Sequence, residues 1–240
     1  MKIYGMKDKS AAKICYGALD KKHLKLKALK PKKILDLGGA GGAFSQQLKE
    51  KDETTITIDI NISSLKKCKN VEPCKNVEPV LGTILKLPFK QNSFDIVLAR
   101  AILHHVPKEL DVSLAEVKRV LKDGGVFLVE DPCYLNPFAY LARKFIPSVI
   151  HDPNEKPFIP NSFKKKISEY FRITEVSYYC IFSYPMPYLI PKLSETSKPV
   201  ARKIAAVLYH LDTMLLTSNF FQNFCGYIYI LGRKFESTAS

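Results

Sequence analysis

From Lys33 to Glu130, short apolar runs alternate with segments of helical period. KILDL (33–37) is a compact apolar run, and TTITID (54–59) alternates strictly, so both predict strands. A glycine cluster between them leads into a predicted helix at Phe44–Lys51. Ser63–Lys69 predicts a short helix capped by Asn61 or Ser63. Val77–Leu81 predicts a third strand, and FDIVLA (94–99), apolar at successive positions, a strand buried on both faces. Over Asp111–Lys122, Leu114, Val117, Val120 and Leu121 share one helical face, and Gly124-Gly125 predicts its stop. Val126–Glu130 completes a set of five strands. This order predicts a parallel sheet covered by helices and joined by right-handed crossovers.

Past Cys133 the pattern loosens. A proline- and aromatic-rich stretch (134–160) precedes a predicted helix at Ser162–Tyr170 and a strand at Ile173–Tyr179. A further helix places Ile204, Val207, Leu208, Leu211 and Leu215 on one face. The alternating run GYIYIL (226–231) predicts the last strand. Of 26 Phe and Tyr residues, 20 follow Cys133, so a functional boundary is placed there. CKNVEP occurs twice in tandem, at 68–73 and 74–79, and lengthens the loop before the third strand rather than building a repeat protein.

Composition narrows the class. With 46% hydrophobic and 25% charged residues, the chain of 240 residues can bury a core without staples. No run of 18 apolar residues predicts a spanning helix, and the polar start MKIYGMKDKS has no signal-peptide core. A cytoplasmic protein, peripheral to a membrane at most, is expected. The six cysteines form no CxxC pair, and no His spacing completes a zinc set, so no metal is predicted. The net charge of +14 is concentrated in residues 1–33, which hold eleven lysines against Asp8 and Asp20. Such an arm suits an anionic membrane surface. Nucleic acid is disfavoured, because the cations are overwhelmingly Lys rather than the bidentate Arg.

The glycine cluster Gly38-Gly39-Ala40-Gly41-Gly42, between a strand and a helix, lets a ligand approach the backbone. Asp59, about 20 residues on, ends the second strand, where a carboxylate can accept ribose hydroxyls. A dinucleotide fingerprint fails, since its third glycine is Phe44. Asp36, ending the first strand, disfavours a pyrophosphate and favours a cationic sulfonium ligand.

ILDLGGAGG resembles the first motif of the class I S-adenosylmethionine-dependent methyltransferases. GTILKLPF (82–89), SFDIV (93–97), LHHV (103–106) and EVKRVLKDGG (116–125) follow in that family's order and spacing. The resemblance covers residues 30–131 and is of the small-molecule type. It implies a Rossmann-like, seven-stranded, mostly parallel sheet with the last strand antiparallel, carrying an aromatic-rich C-terminal cap. Residues 1–30 would be a basic helical arm, 31–133 the cofactor-binding core, and 134–240 the acceptor cap with the last strands.

The resemblance also implies residue roles. Asp36 supports the glycine loop and the methionine ammonium of S-adenosylmethionine, and Gly38, Gly39 and Ala40 pass along the methionine and ribose. Asp59 binds the ribose hydroxyls, and Ile60 packs on the adenine. Thr83 and Ile84 meet the adenine edge, and Ala99 and Arg100 border the methionine end. Ala40 stands where the family has its middle glycine, and Thr83 where it often has an acid. Simple core packing is the alternative reading of Ile60 and Ile84.

His104 and His105, past the fourth strand, are candidate general bases, or else cap the next helix or gate the cofactor. Asp131-Pro132-Cys133-Tyr134 is similar to the D/N-P-P-Y motif of amino-methyltransferases. It lacks the second proline, however, and follows the fifth strand rather than the fourth. The acceptor expected is a small molecule, with a hydrophobic quinone or lipid precursor as one candidate. A non-catalytic cofactor-binding protein, or a methyltransferase acting on RNA or protein, stays open.

Overall fold

The structure, a computed structural model, describes residues 26, 29–39, 54–70, 77–146 and 156–236. Ala40, the predicted helix at Phe44–Lys51 and nearly all of the basic arm lie outside these residues.

The chain runs β1 (Lys33–Leu37), β2 (Thr54–Asp59), α1 (Ile62–Asn70), β3 (Val77–Leu81) and β4 (Phe94–Arg100). A 3-10 turn at Leu103–His105 leads to α2 (Leu110–Val120) and β5 (Leu121–Pro132). Then come α3 (Pro137–Phe145), α4 (Pro160–Ser168), β6 (Arg172–Tyr179), the short α5 (Met186–Leu189), α6 (Lys198–Leu215), the short α7 (Asn219–Gln222) and β7 (Tyr227–Arg233). The seven strands form one sheet in the order β3-β2-β1-β4-β5-β7-β6. β1 through β5 pair in parallel, and antiparallel pairing enters at the C-terminal strands. This is the Rossmann-like architecture the sequence predicts.

The central strands are apolar because both their faces are covered. Ile34, Leu35 and Leu37 of β1, Ile96 to Ala99 of β4 and Val126 to Val129 of β5 are all buried. Leu114, Val117 and Val120 of α2 are fully buried, as their spacing predicts. β3 lies at the sheet edge, which is where Pro79, with no N–H to donate, can be accommodated. Asn61 caps α1, its Oδ1 accepting from the backbone N–H of Ser63 (2.9 Å) and Ser64 (3.2 Å). The first CKNVEP copy closes α1 at Asn70, and the second supplies Val77, Glu78 and Pro79 of β3.

Two boundaries differ from the sequence reading. Gly124-Gly125 does not stop α2. The helix ends at Val120 and the chain passes directly into β5, where Leu121 already pairs with Phe94. The ladder shifts register between Phe94 and Ile96, and Gly124, at φ +70, lies in that irregular stretch, where a left-handed residue suits glycine. In α6 the apolar face is only partly covered, with Leu208 and Leu215 half-buried. Ile204, Val207 and Leu211 are exposed, while Ala201, Ala205 and Asp212 are buried.

The amino ends of the central strands are pinned by Asp95. Its Oδ2 accepts the backbone N–H groups of Lys33 (2.8 Å) and Lys32 (3.0 Å), and its Oδ1 accepts Lys122 Nζ (2.6 Å). Burial alone would raise this carboxyl, but the Lys122 ammonium and the two N–H donors outweigh it and hold it below its ordinary value.

The chain divides into two compact units. One comprises the segment from His23 to Asp131, Phe163–Val176 and the chain from Tyr229 onward; there Phe127 packs on Phe171 with ring centroids 4.8 Å apart. The other includes Pro132–Ser162 and Ser177–Ile228. Inside it, buried Asn136 caps α3 through Ala139 N–H (2.7 Å) and donates to the carbonyls of Cys180 (2.8 Å) and Ile181 (3.1 Å). Buried Asp212 accepts from Phe182 N–H, Ser183 N–H and Ser183 Oγ at 2.8, 3.0 and 2.6 Å. Tyr184 stacks on Tyr227 at 5.5 Å, and the thiols of Cys133 and Cys225 approach to 3.4 Å. Among the described residues no helix is long and apolar enough to cross a membrane.

Candidate cofactor and acceptor site

The sheet order reverses between β1 and β4, and in open parallel sheets ligands bind at the carboxyl ends of the strands flanking such a reversal. Gly38 follows β1 at φ +63 and donates its N–H to the Ile58 carbonyl at 2.8 Å. A Cβ there would lie 2.5 Å from Ile102 Cδ1, so both conformation and space require glycine. At Gly39 a Cβ would collide with the Asp36 carboxylate and come within 2.5 Å of Thr57 Oγ1. Asp36 is buried, and the buried Thr57 hydroxyl has no hydrogen-bond partner among the described residues. The glycines therefore let the turn after β1 pack its backbone directly against Ile102, the Asp36 carboxylate and the Thr57 hydroxyl. That donor set suits a small ligand carrying a cation.

At the end of β2, Asp59 is half-buried and its Oδ1 accepts the Asn61 N–H at 2.8 Å, which orients the carboxylate. Ile60 is 77% exposed, so it is no core residue. Thr83 is exposed with its Oγ1 accepting the Leu85 N–H at 3.2 Å, whereas the Ile84 side chain is buried at 8%. The loop carrying these two residues is clamped to α2. Glu116 Oε2 accepts the Leu87 N–H at 2.6 Å. Arg119 donates to the carbonyls of Leu87 (2.9 Å) and Phe89 (2.7 Å), and its Nε donates to Glu116 Oε1 (2.7 Å). The LPF segment and the Glu-x-x-Arg pair are thus two halves of one clamp. Hydrogen bonding by Arg119 holds the Glu116 carboxyl below its ordinary value, against the opposing effect of burial.

β4 and β5 bring three charged side chains, Arg100, Glu130 and Asp131, to their carboxyl ends. Ala99 is buried in the ladder opposite Val129. Arg100 pairs in register with Glu130, and its Nε donates to Glu130 Oε2 at 3.1 Å. Ala101 then adopts φ +50, an unfavourable conformation for a residue with a Cβ, and turns the chain out of the sheet. His104 is buried with its Nδ1 2.6 Å from Asp131 Oδ1. His105 is exposed and lies against His104, ring centroids 4.3 Å apart. Glu130 and Asp131 went unrecognised as site residues in the sequence. The signal was there in strand register: equal counting from Ile96 and Val126 sets Arg100 beside Glu130.

A methyltransferase domain family model matches residues 35–129, from the first strand through β5. The chain is 31% identical to the uncharacterized protein MJ0638 of Methanocaldococcus jannaschii over 188 residues, 76% of each chain. The chain belongs to the class I S-adenosylmethionine-dependent methyltransferases. It is also 36% identical to a fatty-acid O-methyltransferase of Mycolicibacterium smegmatis over 102 residues, a match spanning 42% of this chain and 37% of that one. Its fold is similar to that of the PH0226 protein of Pyrococcus horikoshii, with a TM-score of 0.59 at 19% identity over 95% of this chain and 92% of that one. A methyltransferase of this class draws on S-adenosylmethionine as methyl donor. The residues at the end of β1 fit that group: the Asp36 carboxylate, of a sign that suits a cationic ligand, and the Thr57 hydroxyl, without a partner among the described residues, both lie against the glycine turn.

Proposed function

We propose that this methyltransferase acts on a small-molecule acceptor with a large apolar part, such as a lipid or quinone precursor. Asp36, Gly38, Gly39, Asp59 and Thr83 would hold the cofactor, with Ile60, Ile84, Ala99 and Arg100 bordering it. S-adenosylmethionine supplies, when bound, a methyl group on a sulfonium activated for transfer. Asp36 places negative charge beside a cationic ligand. Asp59, its carboxylate oriented by Asn61, offers acceptors for paired hydroxyls.

His105 is the group we assign to take the acceptor's proton. It is the exposed member of the histidine pair, whereas His104 is buried and held by Asp131. His104 and Asp131 therefore position the turn on which His105 stands. The observation carrying the reading is this convergence, at the ends of β4 and β5, of an anchored and an exposed imidazole.

The apolar acceptor is supported by the aromatic richness of the chain after Cys133 and by the name of the fatty-acid methyltransferase relative. Residues 134–224 are the segment assigned to cover the acceptor. The lysine-rich arm, residues 1–33, would add attraction to an anionic membrane face from the cytoplasmic side. Incubating the protein with isotopically labelled S-adenosylmethionine and cell extract tests the proposal. Label is expected in the organic phase, on an acceptor resolved by mass spectrometry. Label confined to the aqueous phase would overturn the apolar acceptor, and label on protein or RNA would overturn the small molecule.

A further inference from the structure

Helix α6 carries an apolar ridge on its outer side. Val200, Ile204, Val207, Leu211 and Met214 follow one another at spacings of four, three, four and three residues, and all are 43–61% exposed. One stripe of a helix, about four turns long, is therefore apolar and exposed. The opposite side is accounted for. Ala201 and Ala205 pack with Ile190, and buried Asp212 binds Phe182 and Ser183. Ala201, Ala205 and Asp212 thus anchor the helix on that side, while the five aliphatic residues of the ridge stay exposed. Phe220, 65% exposed, continues the apolar surface just beyond the helix.

Charge around the ridge selects its occupant. Lys203 and His210 are exposed along one border of the stripe, and Lys192 is exposed ahead of it. From Lys192 to Arg233 the chain has two acids. Glu195 is paired with Lys198, and Asp212 is buried on the opposite face. A second copy of this helix is a poor partner, because Lys203 and His210 would meet no acid in either direction of packing. The ridge is convex, with Lys203 along its border and Lys192 exposed ahead of it. A fluid apolar layer beneath anionic headgroups meets both features, as with helices that lie in a membrane interface.

We infer that the outer face of α6 seats this protein on an anionic lipid bilayer, with Val200 to Met214 entering the acyl boundary and Lys203 among the headgroups. The inference does not depend on the acceptor or on the N-terminal arm. It is open to a direct test, since the chain has no tryptophan. Val207→Trp in the full chain places a single reporter on the ridge. Its emission should shift to the blue on adding vesicles of equimolar phosphatidylglycerol and phosphatidylcholine, and brominated acyl chains should quench it. Vesicles of phosphatidylcholine alone should do so weakly. A paired Val207→Glu, Leu211→Glu variant, both changes on exposed positions, should weaken vesicle co-sedimentation by about tenfold or more while cofactor binding is retained. Three results overturn the inference: no spectral response to anionic vesicles, undiminished co-sedimentation of the double variant, and a blue shift that follows protein concentration without lipid. The second result would assign vesicle binding to the lysine arm, and the third would assign the ridge to a second copy.

Discussion

Asp131 Oδ1 takes both the backbone N–H of His104, at 3.2 Å, and its ring nitrogen Nδ1, at 2.6 Å. One carboxylate oxygen thus fixes the main chain and the ring of the same residue, immediately before an exposed histidine. Nδ1 can donate in neutral imidazole as well as in imidazolium, so the arrangement needs no charge on the ring. Asp131→Ala leaves a buried donor unsatisfied and is expected to cost about 3 kcal/mol of stability. Asp131→Asn, which keeps one acceptor oxygen, should cost less. Denaturant unfolding of both variants checks this; equal, negligible losses would show that the pair does not hold the turn.

His105→Ala should separate catalysis from cofactor binding. The side chain is exposed and belongs to no core cluster, so the fold should survive. Loss of a proton acceptor should lower turnover on the order of 10²-fold and leave the affinity for S-adenosylmethionine unchanged. Steady-state kinetics beside calorimetry decides it. Unchanged turnover, or a loss seen only in cofactor affinity, would remove His105 from the chemistry.

Much of the sheet was legible because its strands obey one rule each. Ile96 to Ala99 form a continuous apolar run because both faces of β4 are covered, whereas TTITID alternates by residue type only, since Thr55 and Thr57 are buried as well as Ile56 and Ile58. Leu121 escaped, because a helical face and a buried strand start place the same residue type at the same spot, and only pairing with Phe94 decides between them. The α6 ridge makes a related point: periodicity reports that a face is apolar, not what covers it. That Asp59 ends β2 was legible from the alternation before it. Asp131 was not, because its meaning comes from His104, 27 residues earlier, across a connection whose path a single sequence does not give.

Asp59→Ala should weaken binding of S-adenosylmethionine by about 1–3 kcal/mol. The carboxylate is half-buried and already oriented by Asn61, so little ordering is required on binding. Asp59→Asn should lose less, since an amide oxygen still accepts. Titration calorimetry reads both directly. An Asp59→Ala protein binding the cofactor as tightly as the parent would remove this residue from the site.

The clamp between Glu116 and Arg119 sets a testable acid limb. Arg119 hydrogen bonds hold the Glu116 carboxyl below its ordinary value of 4.5. A carboxyl lowered in the folded state binds its proton more readily when unfolded. Its contribution to stability is therefore complete above that ordinary value and is lost as pH falls through the lowered one. Glu116→Gln should leave a shallower loss of stability across that acid range, measured by denaturant unfolding at successive pH values. The neutral amide also turns a charge-assisted contact with the Leu87 N–H into an ordinary one, so the loop bearing Thr83 should loosen at every pH. Cofactor affinity should fall with it, by less than for Asp59→Ala, because in the proposed site the loop would border the ligand while Asp59 would hold it. If Glu116→Gln kept the parent's acid limb unchanged, the clamp would not be the source of that limb, and Asp95, likewise lowered by Lys122 and two backbone donors, would be the next carboxylate to replace.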